Sequence, residues 1–418
     1  MNTRVRTFTR PCWALIWLWI LSIAQYMYRY IFQVNDARTT SYYSATPIWL
    51  SALKYELLLL FFLYGAVRFI RRPFYLNARY RRLVEVTAGG ILVLGTVLVV
   101  RAAVSPGDFD NTVLCGMQLM PWLAGVLLIP LIVEQSHSVV DTLITFEQIA
   151  FWTTFSFWLM TVALAMAGIR YPALSYPGVL LRFGGILDDP NGYACLCLLL
   201  AALALGFRRA RWMLRTAAYG VMVAGTFSLT GYITCFTICC CLVLFRLYRA
   251  KNSKAKWLAA GCVFCAICIG AVVLYPYLYS IGQVTEAFEQ IYSVKGSSAM
   301  THLLDLAPAE STLQESSLIG LLFGSGGFSE NFYWRVLANF GVIGLFVMAG
   351  LALLWFYAGC DIDERWRRTL TAWNIGVLIG STGIAYLLTF PLGLLFWSAL
   401  AFLVYSRAAK HEYCASLE

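Results

Sequence analysis

Charge is scarce in this chain. Only 12% of the 418 residues are Asp, Glu, Lys or Arg, while 60% are hydrophobic, and that composition excludes an ordinary water-soluble domain. Lys and Arg outnumber Asp and Glu by 31 to 21. The excess is spread over short loops with no stacking platform among them, which argues against a nucleic-acid partner. Histidine is rarer still, with three in the whole chain. No cysteine lies between residues 276 and 331, so that segment can form no internal disulfide. No internal repeat relates the two halves, which sets the chain apart from transporters built on related halves.

What is abundant is apolar sequence in runs of about twenty residues, each long enough to cross a bilayer. The runs predict an all-α polytopic membrane protein, a single membrane domain over residues 1–418 with about twelve transmembrane helices. The expected spans are 12–31, 48–69, 83–100, 113–133, 143–168, 191–207, 213–227, 229–247, 257–275, 332–357, 369–387 and 390–405. The seventh and eighth are the closest pair, since Ser228-Leu-Thr-Gly231 leaves almost no turn between them.

Loop charge gives an independent check, because inner loops collect Lys and Arg. With both termini inside, most of the basic residues fall on inner segments, leaving Arg29, Arg38, Lys54, Arg101, Arg170, Arg182, Lys295 and Arg335 for the outer half. The inner loop 134–142, which has no Lys or Arg, is the exception. The net charge of +10 is therefore mostly an orientation signal. At the N-terminus, the Arg-rich residues 1–10, the following apolar run and Ser22-Ile-Ala24 fit either an uncleaved first span or a signal peptide. The groups Cys239-Cys240-Cys241 and Cys262-x-x-Cys265-x-x-Cys268 lie inside apolar runs, where Cys behaves as a small hydrophobe rather than a metal ligand.

Two stretches stand out from this apolar background. The first is Arg182-Phe-Gly-Gly-Ile-Leu-Asp-Asp-Pro-Asn191, which puts an arginine, two carboxylates and an amide at the mouth of an apolar helix. Residues that costly beside lipid mark functional sites. The second is the outer segment 276–331 between the ninth and tenth spans. Val284, Phe288, Ile291 and Tyr292 fall at helical spacing, and a second pattern runs from Leu303 to Leu318, so this loop is expected to be helical and to act as a lid or binding element. It ends in Gly324-Ser-Gly-Gly327, whose freedom at positive φ permits a tight turn with converging backbone N–H groups.

These landmarks carry a family likeness. Arg182-x-x-Gly185 with Asp189-Pro-Asn191 resembles the signature of the bacterial O-antigen polymerase and O-antigen ligase superfamily. So does the Ser/Thr-rich Thr226-Phe-Ser-Leu-Thr-Gly231. The third match is Gly324-x-Gly326, Glu330-Asn331-x-Tyr333 and Gly341-x-x-Gly344. The likeness covers residues 170–355 and puts the catalytic core within 143–357. It implies a glycosyltransferase of the bacterial inner membrane, multi-pass, with cytoplasmic termini, a periplasmic loop at 276–331 and a periplasmic active site. Such enzymes move a glycan from undecaprenyl diphosphate to a sugar hydroxyl with inversion, with no cofactor and no obligatory metal. The implied partners are the lipid-linked oligosaccharide, membrane lipid, a chain-length regulator and a flippase.

The residue chemistry suits that reaction. As the glycosidic bond breaks, charge builds on the departing diphosphate, and Arg182 and Arg170 are cations on the expected side, with planar guanidinium groups suited to phosphate. Asp189-Pro190-Asn191 reads equally as a helix cap and as the device that sets a helix N-terminus against phosphate. Asp188 then hydrogen-bonds a sugar or orients the arginine. The proton of the acceptor hydroxyl needs a recipient, for which Glu330 and His302 lead a set that includes Asp188, Asp305, Glu310 and Glu315. Asn191 and Asn331 come with the matched motifs as substrate-binding candidates.

The chain also departs from the family. Ligases carry a histidine before the asparagine that opens the helix after the large loop, where this chain has Glu330, which favours a polymerase. Ser297-Ser-Ala-Met-Thr-His302 holds none of the arginine that many relatives place there, leaving Lys295, His302 or Arg335 for a second cation. The expected activity is that of an O-antigen or exopolysaccharide polymerase. An O-antigen ligase acting on lipid A core and a flippase for lipid-linked oligosaccharide are the alternatives.

Overall fold

The computed structural model describes residues 19–20, 48–71, 78–104, 109–135, 139–167, 183–187, 189–248, 317–326, 331–360, 363–383, 385–388 and 391–415. Among them every regular element is helical, and the helices form an all-α assembly. The long ones follow the apolar runs: α1 Ile48–Arg71, α2 Ala78–Val104, α3 Phe109–Gln135, α4 Val139–Met166, α5 Pro190–Phe207, α6 Trp212–Gly225 and α7 Leu229–Tyr248. A short α8, Leu318–Phe323, precedes α9 Phe332–Gly359, α10 Arg365–Gly380 and α11 Leu392–Ala415. Single 3-10 turns at Gly185–Leu187 and Tyr386–Leu388 lead into α5 and α11.

Among the described residues four helices, α2, α5, α7 and α9, are long and apolar enough to cross a membrane. Nine of the expected spans coincide with helices, and a tenth, 369–387, does so only in part. The first, apart from residues 19–20, and the ninth lie outside the described residues, as does the outer segment up to residue 316.

Helix α5 is the most enclosed element, packed against α4, α6, α7 and α10. Its residues from Gly192 to Leu200 are all buried, so this helix reads as apolar all round because it has no lipid-facing side. Cys195 and Cys197 are buried here as small packing residues. By contrast Cys239 on α7 is exposed and Cys240 and Cys241 are half-buried, so that triplet packs more loosely than expected. Helix α10 fills the groove between α5 and α7, while α11 lies on α3 and α9 lies on α2. Close approach between α7 and α10 depends on Gly376, where a Cβ would sit 2.8 Å from Ile238.

The structure corrects the sequence reading in two places. The expected span 369–387 is broken: α10 stops at Gly380, and Ser381, Thr382 and Gly383 make a turn before the 3-10 segment Tyr386–Leu388. The run is apolar on average, and the few polar residues that end the helix are hidden in that average. The second correction concerns two arginines counted as loop charges. Arg215 is buried against Glu147, with Nε 3.1 Å from Oε1, and Tyr219 donates its hydroxyl to the same oxygen at 3.1 Å. Arg101 is only 1% exposed and donates from Nη1 to the Asn339 carbonyl at 3.1 Å and to its side-chain Oδ1 at 3.0 Å.

Arg101 serves a break in α9. Gly341 has φ 64° and ψ −169°, which interrupts the helical ladder, and carbonyls one turn before such a break lose their usual donors. The guanidinium supplies one to Asn339. The backbone of Leu322 presses against Gly341 so closely that any Cβ would overlap it. That contact fastens α8 to the broken turn. The expected positive φ of the glycine-rich turn is present at Gly324 (93°) and Gly326 (90°). Their N–H groups do not converge on a ligand: Gly326 N donates to Ala338 O at 2.9 Å and Gly324 N to Gly320 O at 2.8 Å. Residues 317–326 are thus welded to α9 and α2.

Candidate functional site at the helix mouths

The N-terminus of α5 is built as a capped mouth. Asp189 is extended (φ −135°, ψ 114°), and its carboxylate accepts from Asn191 N at 3.1 Å and Gly192 N at 2.7 Å. Pro190 fills the first helical position, where no N–H is needed. Asp189 is therefore an N-cap, as one of the two sequence readings had it. The chain reaches this cap through Gly185, at φ +54°, where a Cβ would overlap the Tyr193 ring. Gly185→Ala is expected to cost about 1–3 kcal/mol by combining overpacking with a disfavoured backbone. A wild-type melting temperature in detergent for this variant would contradict that close approach.

Asn191, in the first turn of α5, joins two other parts of the chain. Its Oδ1 accepts from Ser228 Oγ, and its backbone carbonyl accepts from Tyr386 OH at 3.1 Å. Ser228 Oγ in turn accepts from Gly231 N at 2.9 Å, capping α7. The turn between α6 and α7 is as tight as its sequence implied, spanning only Thr226, Phe227 and Ser228. It closes because Phe227 adopts φ +46°, a conformation glycine usually takes at this position after a helix. Gly231 lets the turn approach α5: a Cβ there would lie 2.6 Å from Ala194 Cβ.

The start of α9 meets the same connector from the other side. Asn331 is its N-cap, accepting from Tyr333 N at 2.9 Å and Trp334 N at 3.2 Å, while its Nδ2 donates to Thr382 O at 2.6 Å. Phe332 N donates to Ser381 O at 2.9 Å, and Tyr333 OH to Leu378 O at 2.8 Å. Arg335 is half-buried one turn further on, and its carbonyl accepts from Asn339 Nδ2 at 2.8 Å.

Three motifs far apart in sequence, at 183–192, 226–231 and 331–335, are thus joined through the connector 381–388. Asn191 holds Ser228 and Tyr386, and Asn331 holds Thr382. Thr230 lies against Gly383 and Thr234 against Gly380, which seals the α7 side. Sequence reasoning missed the connector because it was read as the interior of a span; the Ser381-Thr-Gly383 triplet is the signal that could have found it.

Of the expected site residues, the structure brings together Asp189, Asn191 and Asn331, with Arg335 one turn behind Asn331. The side chains of Asp189 and Asn331 cap helices, so these residues act first as scaffold. Arg170, Arg182, Asp188, Lys295, His302 and Glu330 lie outside the described residues. Phe183, the neighbour of Arg182, is fixed: its N–H donates to Gly225 O at 3.1 Å, and its ring lies 6.2 Å from that of Trp158. Phe183 thus lies between α4 and α6, beside the mouth of α5. Compared with known proteins, the chain matches no protein-family model and no curated protein.

Proposed function

We propose that this protein is a polysaccharide polymerase of the O-antigen or exopolysaccharide kind, transferring a glycan chain from undecaprenyl diphosphate to a new lipid-linked repeat unit. In this reading the chain crosses the bacterial inner membrane about twelve times, with both termini cytoplasmic. The helix mouths at Asp189 and Asn331 face the periplasm.

One observation supports the reading above the rest: the motifs that carry the family likeness are tied to one connector, where Tyr386 donates to the Asn191 carbonyl and Asn331 donates to Thr382 O. A chain that needed these residues only to start separate helices has no reason to join them. The mouths lie at the ends of helices with apolar flanks, as exposed Leu229 and Ile233 on α7 illustrate, and a substrate with a polyprenyl tail and a polar head suits that border.

The chemistry is an inverting displacement. The acceptor hydroxyl oxygen bonds to the anomeric carbon as the bond from that carbon to the diphosphate oxygen breaks, and the electron pair leaves with the diphosphate. Arg182, with Arg170, offsets the charge that builds there. Glu330 or His302 takes the hydroxyl proton. Asp188, Lys295 and Arg335 position the sugar or the second phosphate. No step requires a metal.

The test is the glycan ladder of a strain deleted for the gene. Single repeat units on the acceptor or on undecaprenyl diphosphate, with long chains restored by the wild-type gene, are expected. Full-length polymer trapped on undecaprenyl diphosphate would identify a ligase, and repeat units stranded on the cytoplasmic leaflet a flippase.

A further inference from the structure

Trp158 carries a buried indole N–H that has no acceptor among the described residues. Buried tryptophan usually finds a partner for this group, and leaving it without one costs about 1–3 kcal/mol. The indole sits on α4 in a short aromatic row, stacked on Phe155 at 6.3 Å and tilted 60° to Phe183 at 6.2 Å. The nitrogen faces α6 at Gly225, where an added Cβ would come 3.6 Å from Nε1 and 3.3 Å from the Phe183 ring. The space beside the donor therefore exists because residue 225 has no side chain. Phe183 covers it, and Phe183 directly follows Arg182.

We propose that the Trp158 indole N–H is a hydrogen-bond donor to an oxygen of the glycan-diphosphate head group, with the rings of Trp158 and Phe183 forming the wall against which that head group lies. This deepens the polymerase reading and rests on it. The Phe183 ring turns about its side-chain bonds, with its backbone still tied to Gly225, and uncovers the donor. Pyranose rings offer apolar C–H faces and many oxygen acceptors, so an aromatic wall with one fixed N–H suits them. The neighbouring turn adds a further aromatic: Phe227 is 37% exposed in its strained conformation, and strain of that kind gathers at binding sites.

Two variants test the donor without dismantling the fold. Trp158→3-benzothienylalanine keeps the ring shape and replaces N–H by sulfur. Gly225→Ala leaves the indole intact and covers it, and alanine is the better helix former. The probe is the lipid-linked oligosaccharide extracted from the deletion strain, presented to purified protein in detergent.

Both variants are expected to melt at or above the wild-type temperature and to raise KM about five- to tenfold, the loss of one hydrogen bond, with little change in kcat. Unchanged KM in both overturns the proposal. A clear fall in melting temperature for the sulfur variant also overturns it, because the N–H would then have a partner inside the protein. Wild-type protein that transfers nothing overturns the polymerase reading and this inference with it, whereas equal transfer by wild type and both variants overturns the inference alone.

Discussion

Arg182→Ala is expected to abolish long polysaccharide while the protein remains at wild-type abundance. The expected loss of transfer is about 10²–10³-fold, the usual effect of removing one group that meets charge developing in a transition state. Phe183, next in sequence, is tied by its backbone to Gly225 and by its ring to Trp158. The position of Phe183 therefore rests on contacts other than residue 182. Arg182→Lys is expected to restore little, because an ammonium lacks the planar two-pronged fit to phosphate. Full activity in the lysine variant would reduce Arg182 to a general electrostatic anchor. Long chains made by the alanine variant would remove it from the site.

Glu147→Leu is expected to have the largest effect on stability. The Glu147 side chain is 2% exposed and that of Arg215 11%, and removing one member of a buried pair leaves the other uncompensated at a cost of about 3–5 kcal/mol. Tyr219 would lose its acceptor as well. The double variant Glu147→Leu with Arg215→Met is expected to recover most of the loss, since an apolar pair of similar volume is often neutral or better. Thermal unfolding in detergent of the two single variants, Glu147→Leu and Arg215→Met, and of the double variant closes the cycle. A single variant that melts like wild type would show that the ion pair holds nothing.

The pair also bears on the site. Glu147 and Arg215 join α4 to α6, and Trp158 and Gly225 lie about 15 Å further along those same two helices at 1.5 Å per residue. The lock at one end sets the spacing at the other. Partial loss of stability in the single variant should therefore come with a raised KM in whatever protein survives.

How far the sequence revealed this arrangement depended on the signal. Helices announced themselves through run length, because an apolar stretch of about twenty residues has few other ways to satisfy its backbone in a membrane. One cap was legible too: Asp189-Pro190 carries the side chains that a helix start requires, and Asp189 caps as one reading had it, whereas Asn331, taken only as a substrate-binding candidate, also proves to be a cap. Depth was not legible. Arg101 and Arg215 look like any other basic residue at a span boundary, and only tertiary packing shows that one caps a carbonyl beside the break at Gly341 and the other neutralises Glu147. Glu147 itself was overlooked because a single carboxylate inside an apolar run has its partner many residues away. The connector 381–388 was hidden for a related reason, since hydropathy averaged over a whole run conceals three polar residues that end a helix.

The convergence of motifs also explains why single landmarks in the sequence were ambiguous. Asp189 could cap a helix or serve a substrate, and the structure shows the cap. Its contribution to the site is indirect: the cap orients α5, Asn191 then reaches Ser228 and Tyr386, and the stretch before it sets Phe183 against the α4 and α6 ends. Read this way, the carboxylate, the amide and the glycine at 185 build a frame, and the transfer chemistry belongs to the basic and acidic residues around it.

The most direct measurement is multiple-turnover transfer by the purified protein. Radiolabelled lipid-linked repeat units, extracted from the deletion strain, would be mixed with the protein in detergent and a metal chelator, and the products resolved by length. The account predicts a ladder of longer lipid-linked glycans, with one undecaprenyl diphosphate released for each bond formed. Repeat units that stay single in the presence of folded wild-type protein would contradict it.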